Sequence, residues 1–232
     1  MIDSKPLSDK LALVTGASRG IGAATAQALG AAGAHVILVA RTGAALEQVE
    51  ESIHDAGGSA TIAPLDLTDG ESIGRLANAI AGRWQALDVL VLNAATLGSL
   101  AAVPAIDTKE FARQLTLNVS ANQALIAAFD PLLRASGDAR VIAVTSSRAR
   151  KPRPYWGAYG ASKAAIDYMT IAMAVHLGAR GITVNAIIPG ATDTDFIGAA
   201  MENEPMVAQL KAETALRAIG DPRDIASAVA MI

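Results

Sequence analysis

Two side chains in the stretch YWGAYGASK, residues 155–163, have the types and spacing for proton chemistry. Tyr159 and Lys163 stand four positions apart, which on a helix stacks them on one face. An ammonium beside a phenol favours phenolate and lowers the tyrosine pKa toward the working pH. Such a pair could pass a proton to or from an oxygen that changes between carbonyl and alcohol. The other two tyrosines fit less well. Tyr155 follows Pro152 and Pro154, so it precedes the helix or lies in its first turn, and Tyr168 is five residues past Lys163 and faces another way. Taken alone, the pair reads first as an incidental contact on a surface helix. A third side chain changes its weight. The run ARVIAVTS, 139–146, ends at Ser146, where a hydroxyl could hold the reacting oxygen, with Ser147 as the nearby competitor.

A phosphate site stands near the start of the chain. The stretch TGASRGIG, residues 15–22, follows the apolar run LALVTG and opens a helical pattern. Gly16, Gly20 and Gly22 offer a tight turn, room for backbone to approach a phosphate, and close strand–helix contact. The helix that follows presents its N–H groups and positive dipole end to a pyrophosphate. The spacing is G-x-x-x-G-x-G, not the G-x-G-x-x-G of the general dinucleotide fingerprint. Its place between a strand and a helix is what separates it from a merely structural turn. The second run ends in VARTG, where an acidic residue would hold the ribose 2′-hydroxyl of NAD. Ala40 and Arg41 stand there instead. The planar fork of Arg41 suits a 2′-phosphate and Arg19 can add a second charge, so NADP(H) is favoured over NAD(H); the alternative is two solvated arginines.

The elements that must position these groups alternate regularly. Short β-rich runs at 11–16, 34–40, 59–66, 87–94, 139–146 and 182–189 are continuously apolar, as strands covered on both faces are. Between them lie segments long enough for crossover helices, at 20–32, 43–56, 70–84, 107–134 and 157–179. This alternation implies a doubly wound α/β parallel sheet, which binds ligands beyond the carboxyl ends of its strands. No repeat or linker divides the 232 residues, so a single domain over 1–232 is expected.

Bulk properties exclude several classes. Hydrophobic residues make up 52% and much of that is alanine, which suits helices packed on a sheet. A net charge of -3 argues against a general nucleic-acid binder. There are no cysteines, so disulfides and thiolate sites are out. The three histidines, His35, His54 and His176, are scattered, and no metal site is expected. The opening MIDSKPLSDK is charged and lacks a leader's apolar core, and the longest apolar stretch, 28–40, is too short and too broken to span a bilayer. A soluble, cytoplasmic protein is expected.

TGASRGIG and YGASK together resemble the cofactor loop and the Y-x-x-x-K active-site motif of the short-chain dehydrogenase/reductase family, in its single-domain, NADP(H)-preferring form. The likeness spans about residues 8–230. It implies that the tyrosine is Tyr159, acting as general acid/base, and that Lys163 tunes it and binds the nicotinamide ribose. The family's catalytic serine, thirteen positions earlier, falls on Ser146 rather than Ser147. Asn118, in LTLNVS, matches an asparagine that holds a water in a proton relay. Cofactor contacts are implied for Gly16, Ser18, Arg19, Gly20, Ile21 and Gly22, with Arg41 as in NADP-preferring members. Asp66, beside Leu67, matches the position that meets adenine. Of the family's Asn-Asn-Ala-Gly stretch, Asn93 and Ala94 are kept while Leu92 and Ala95 depart. PGATDT, 189–194, resembles the segment that meets the nicotinamide carboxamide, which adds Pro189, Gly190, Thr192 and Thr194.

The resemblance further implies a Rossmann-like fold of three layers, α/β/α, in strand order 3-2-1-4-5-6. A cofactor half (about 8–94) precedes a catalytic and substrate half (about 107–232). The sequence stops after GDPRDIASAVAMI, so the usual seventh strand is expected to be missing. A homodimer or homotetramer is implied. The activity implied is an NADP(H)-dependent oxidoreductase, a carbonyl reductase moving a hydride between nicotinamide and a small-molecule carbonyl or secondary alcohol, in the reductive direction. The rival from another class is an NADP(H)-binding sensor without turnover. An epimerase or dehydratase on the same fold would call for a longer substrate domain. The basic stretch RARKPRP, 148–154, could draw an anionic substrate or be a solvated loop. Trp84 is expected to pack at a helix end. Trp156 could line the substrate pocket with Tyr155 or simply pack, and residues 195–213 are expected to cover the pocket as a mobile lid.

Overall fold

Continuously apolar strands need cover on both faces, and the chain supplies it with amphipathic helices on each side. The computed structural model describes residues 5–232; the first four residues of the charged opening lie outside the described residues. Strands β1 (Leu11–Thr15), β2 (His35–Ala40), β3 (Ser59–Pro64), β4 (Val89–Leu92), β5 (Arg140–Val144) and β6 (Thr183–Ile187) form one parallel sheet. Their order is β3-β2-β1-β4-β5-β6, as expected, with β3 and β6 at the edges among the described residues. Leu13 of β1 pairs with Ile37 of β2 on one side and Leu90 of β4 on the other.

Helices α1 (Gly20–Ala31), α2 (Gly43–Asp55) and α9 (Pro222–Met231) cover one face; α3 (Gly70–Ala81), α5 (Ala121–Ser136) and α6 (Gly157–Leu177) cover the other. The alternation of side chains along β1 divides the core accordingly. Ala12 and Val14 join Leu29, Leu46, Ile53 and Val229. Leu11 and Leu13 join Ile73, Leu125, Phe129 and Ile166. Helix starts carry the caps their sequences suggest: Asp69 accepts from the Glu71 amide, and Asp221 with Asp224 makes a capping box. Trp84 stacks on His35 just past the end of α3, with ring centroids 5.4 Å apart.

One expected helix is interrupted. The segment 107–134 divides into α4 (Thr108–Leu115), a π turn (Thr116–Ser120) and α5. A π turn accommodates an extra residue and is characteristic of functional sites. After β6 the chain crosses back over the sheet's carboxyl edge through a 3₁₀ turn (Asp195–Ile197), α7 (Gly198–Met201) and α8 (Glu204–Ala212). Among the described residues, no helix is long and apolar enough to cross a membrane.

Candidate active site

The strand order reverses between β1 and β4, and the crevice this opens at the carboxyl edge is where such sheets hold ligands. A cavity of about 440 Å³ occupies it. Segments following all six strands contribute to its wall: Gly16, Ser18, Arg19, Gly20, Ile21 and Gly22 after β1, Arg41 after β2, Asp66 and Leu67 after β3. Asn93 and Ala94 follow β4, Ser146 follows β5, and Pro189, Gly190, Thr192 and Thr194 follow β6. Tyr159 and Lys163 reach it from α6. Asn118 alone of the sequence-derived set does not line it, being fully buried behind the wall.

The glycine loop is shaped as a phosphate cradle. Gly16 has φ +65°, a left-handed conformation that favours glycine, and a Cβ on Gly22 would collide with the Gly16 carbonyl and with Asn93 Nδ2. Asn93 Nδ2 donates to the Thr15 carbonyl at 2.9 Å, and the Asn93 amide donates to Thr15 Oγ1 at 2.9 Å, which locks the loop onto β4. Helix α1 begins without a side-chain cap and with no acidic residue in its first turn. These features fit a pyrophosphate at the helix N-terminus. Helix α2 likewise starts without a side-chain cap, directly after Arg41. Asp66 closes a local turn by accepting from the amide and hydroxyl of Thr68, and these bonds hold its carboxyl below the usual range. Arg19, expected to face a 2′-phosphate, is paired across the mouth with Asp195 at 3.2 Å.

The candidate proton-handling groups Ser146, Tyr159 and Lys163 all line the cavity. Tyr159 and Lys163 share a face of α6, as their spacing predicts, while Tyr155 precedes the helix and Tyr168 is exposed. Ser146 and Tyr159 both line the cavity, and the Ser146 hydroxyl is near enough to act on the phenol. Ser147 does not line the cavity, so of the two serines it is Ser146 that meets the phenol. The electrostatics differ from the sequence expectation. Burial pushes the Tyr159 phenol up to about 12, with the nearby Ser146 hydroxyl working against it. The Lys163 ammonium lies 5.9 Å from the phenol ring and donates to the Val144 carbonyl at 2.8 Å. Burial pulls its pKa down to about 8. The lysine therefore does not bring the phenol down, because both groups are desolvated and the ammonium is bonded to the Val144 carbonyl.

Asn118 sits in the π turn and ties three segments together. Its Nδ2 donates to the Thr96 carbonyl at 2.9 Å and to Ser162 Oγ at 3.0 Å, and its Oδ1 accepts from the Thr96 amide at 2.8 Å. Ser162 Oγ in turn donates to the Tyr159 carbonyl at 2.8 Å. The Asn118 carbonyl accepts from Asn122 Nδ2 at 2.7 Å and keeps a second lone pair.

The basic loop is largely neutralised within the chain. Arg148 and Arg153 both reach Glu213, at 2.6 and 3.4 Å, and Arg150 reaches Asp167 at 2.9 Å. The Arg148 hydrogen bond holds the Glu213 carboxyl below its ordinary range. Neither Trp156 nor Tyr155 lines the cavity; Trp156 packs edge-on against Tyr159 with centroids 5.9 Å apart. The side chain the sequence reading missed is Phe196, which lines the cavity and lies 5.6 Å from Tyr159 between ring centroids. It falls in the stretch expected to cover the pocket, but nothing in the spacing marks which residue there meets the tyrosine. Among the described residues, no group of three or more potential ligands is placed to hold a metal ion.

Comparison with known proteins agrees with this geometry. The family model described as short chain dehydrogenase matches residues 10–205. An uncharacterized oxidoreductase of Mycobacterium tuberculosis is 36% identical over 230 residues, covering 98% of this chain and 86% of that protein. Among solved structures, the Pseudomonas aeruginosa RhlG/NADP active-site complex is 30% identical with a TM-score of 0.90, covering 99% of this chain and 91% of that one. The NADP-bound 3-oxoacyl (acyl-carrier-protein) reductase of Agrobacterium tumefaciens is 28% identical, also at a TM-score of 0.90, over 97% and 87% of the two chains. With its switch-point cavity, glycine cradle and Ser146–Tyr159–Lys163 cluster, the chain belongs to the short-chain dehydrogenase family of oxidoreductases.

Proposed function

We propose that the protein is an NADP(H)-dependent carbonyl reductase acting on a small-molecule ketone or aldehyde. The observation that carries this reading is that Ser146, Tyr159 and the buried Lys163 line one cavity together with a glycine loop shaped as a phosphate cradle. The NADP bound in two of the similar structures supports the choice of cofactor, as does Arg41 beside the uncapped start of α2.

When bound, the nicotinamide supplies or accepts the hydride. The glycine loop and the N-terminus of α1 would hold the pyrophosphate, Asp66 and Leu67 would bracket the adenine, and Arg41 with Arg19 would face the 2′-phosphate. Asn93, Ala94 and the segment from Pro189 through Gly190 and Thr192 to Thr194 would orient the nicotinamide. In the reductive direction Ser146 donates a hydrogen bond to the substrate carbonyl oxygen and positions it against Tyr159. Tyr159 gives its proton to that oxygen as it becomes an alcohol. The phenol is protonated at neutral pH and so holds the proton to be given, while its raised pKa must fall when the site is loaded if donation is to be efficient. Lys163 would leave Val144 for the nicotinamide ribose and stabilise the phenolate that remains, and Asn118 would lead the returning proton in through a water on its carbonyl. We place the protein in the cytoplasm, as one domain over 1–232, working as a homodimer or homotetramer; these rest on the family likeness.

NADPH consumption with a panel of aldehydes and ketones tests the reading, with Tyr159→Phe beside the parent. The expected outcome is turnover in the parent that falls by about 10²–10⁴-fold in the variant while NADPH binding is retained. Equal rates in both proteins would remove Tyr159 from the proton step.

A further inference from the structure

The cavity wall around Ser146 and Tyr159 carries information about the substrate that the basic loop does not. Arg148 and Arg153 are drawn onto Glu213, and their side chains are only 15% and 16% exposed. Arg150 is held by Asp167, and none of the loop's cations, Lys151 included, lines the cavity. At the opposite rim Asp195 is engaged by Arg19. Lys163 has its ammonium on the Val144 carbonyl. The wall also carries four apolar side chains, Ala95, Leu117, Phe196 and Ile197, and the hydroxyl of Thr145, beside Ser146, is already donated to the Ile187 carbonyl. In a chain only 3% aromatic, three aromatic rings meet here, with Trp156 edge-on to Tyr159 and Phe196 tilted across it at 53°. Of the two rings flanking the tyrosine, only Phe196 faces the cavity.

A carboxylate or a polyhydroxylated chain placed against these apolar side chains would lose water without gaining an equal partner there, whereas an alkyl or aryl group would gain contact. Building on the carbonyl-reductase reading, we infer that the substrate is a neutral carbonyl compound with an apolar alkyl or aryl substituent. Phe196 is the specificity-determining residue, packing on that substituent while Ser146 and Tyr159 hold the oxygen. The guanidinium groups of Arg148 and Arg153 serve to fasten the lid through Glu213 rather than to recognise substrate.

The test pairs turnover with binding. Acetophenone and 2-octanone are compared with 2-oxoglutarate and dihydroxyacetone, using NADPH, in the parent, Phe196→Ala and Phe196→Leu; the leucine variant keeps an apolar side chain should the alanine variant fold poorly. Binding of 1-phenylethanol to the NADP-loaded proteins is followed separately by saturation-transfer NMR. The expected result is kcat/KM about a hundredfold or more higher for the neutral apolar ketones than for 2-oxoglutarate. KM for acetophenone should rise about tenfold in Phe196→Ala and less in Phe196→Leu, with NADPH affinity unchanged and the 1-phenylethanol signal lost in Phe196→Ala. A parent that prefers 2-oxoglutarate or dihydroxyacetone overturns the inference while leaving the reductase reading intact, as does a Phe196→Ala that keeps parental KM and alcohol binding. If no ketone is turned over but 1-phenylethanol binds in a Phe196-dependent way, the apolar subsite stands and the reductase reading falls. If the alcohol does not bind the parent at all, the inference falls.

Discussion

Lys163 holds a charge in a place where charge is disfavoured, and this has a measurable signature. Its pKa is drawn from 10.5 to about 8 by burial. Between those values the unfolded chain keeps a proton that the folded chain has released, so stability rises with pH. Tyr159 acts in the opposite sense and at higher pH: its pKa is raised from 10 to about 12, so stability is lost as pH climbs through that window. Urea unfolding is expected to show the parent gaining up to about 3 kcal/mol from Lys163 between pH 8 and 10, and Lys163→Met losing that slope. A parent whose stability is flat over this range would mean that the ammonium is solvated. At this scale type and spacing marked Tyr159 and Lys163 as candidates, while the choice of Ser146 over Ser147 came from the family resemblance. The directions of the Tyr159 and Lys163 pKa shifts could not be read this way, because they depend on the depth of burial and on the Val144 carbonyl, which no local pattern encodes.

At the scale of elements, the lid over the pocket is fastened at both ends. Its start is joined to the glycine loop by Asp195 and Arg19, and its end to the loop after β5 by Glu213 with Arg148 and Arg153. Arg148 also lies over the ring of Trp156 at 5.5 Å, and its amide donates to Ser146 Oγ at 3.2 Å, so the fastening touches the packing around both proton-handling residues. Glu213→Gln is expected to speed amide exchange in α8 about fivefold, corresponding to about 1 kcal/mol for a partly exposed ion pair. Unchanged exchange would mean that α8 is held by its apolar contacts alone. The crossover helices followed from the length of the segments between the apolar runs, whereas α9 fell outside the segments so marked. The break at Thr116–Ser120 was not marked either, since the π turn depends on Asn118 finding Thr96 and Ser162, far from it in sequence.

The whole molecule is a sheet sandwiched between two apolar layers, and the site exists because those layers hold the strand ends in place. Phe129 of α5 is fully buried under the sheet among Leu125, Leu133 and Leu90. Phe129→Ala is expected to lower the unfolding free energy by about 3–5 kcal/mol through the cavity it leaves, measured by urea titration, without moving a residue of the cavity wall. A loss below about 1 kcal/mol would mean that the layer repacks freely. The sequence by itself determined what repeats or sits locally: apolar runs separated by helical stretches, a glycine cradle after the first strand, a tyrosine and a lysine one helical turn apart, and a serine at a strand end. Strand period, helical period and glycine conformations are near-neighbour properties, so a single chain displays them. Only the tertiary structure decided which distant groups meet: that Glu213 takes the arginines of the basic loop, that Asp195 takes Arg19, that Phe196 covers Tyr159, and that Asn118 lies behind the wall rather than in it. These contacts join residues 22 to 176 positions apart. Their partners are selected by the packing of the layers, and burial there sets the charge states on which the proposed chemistry depends.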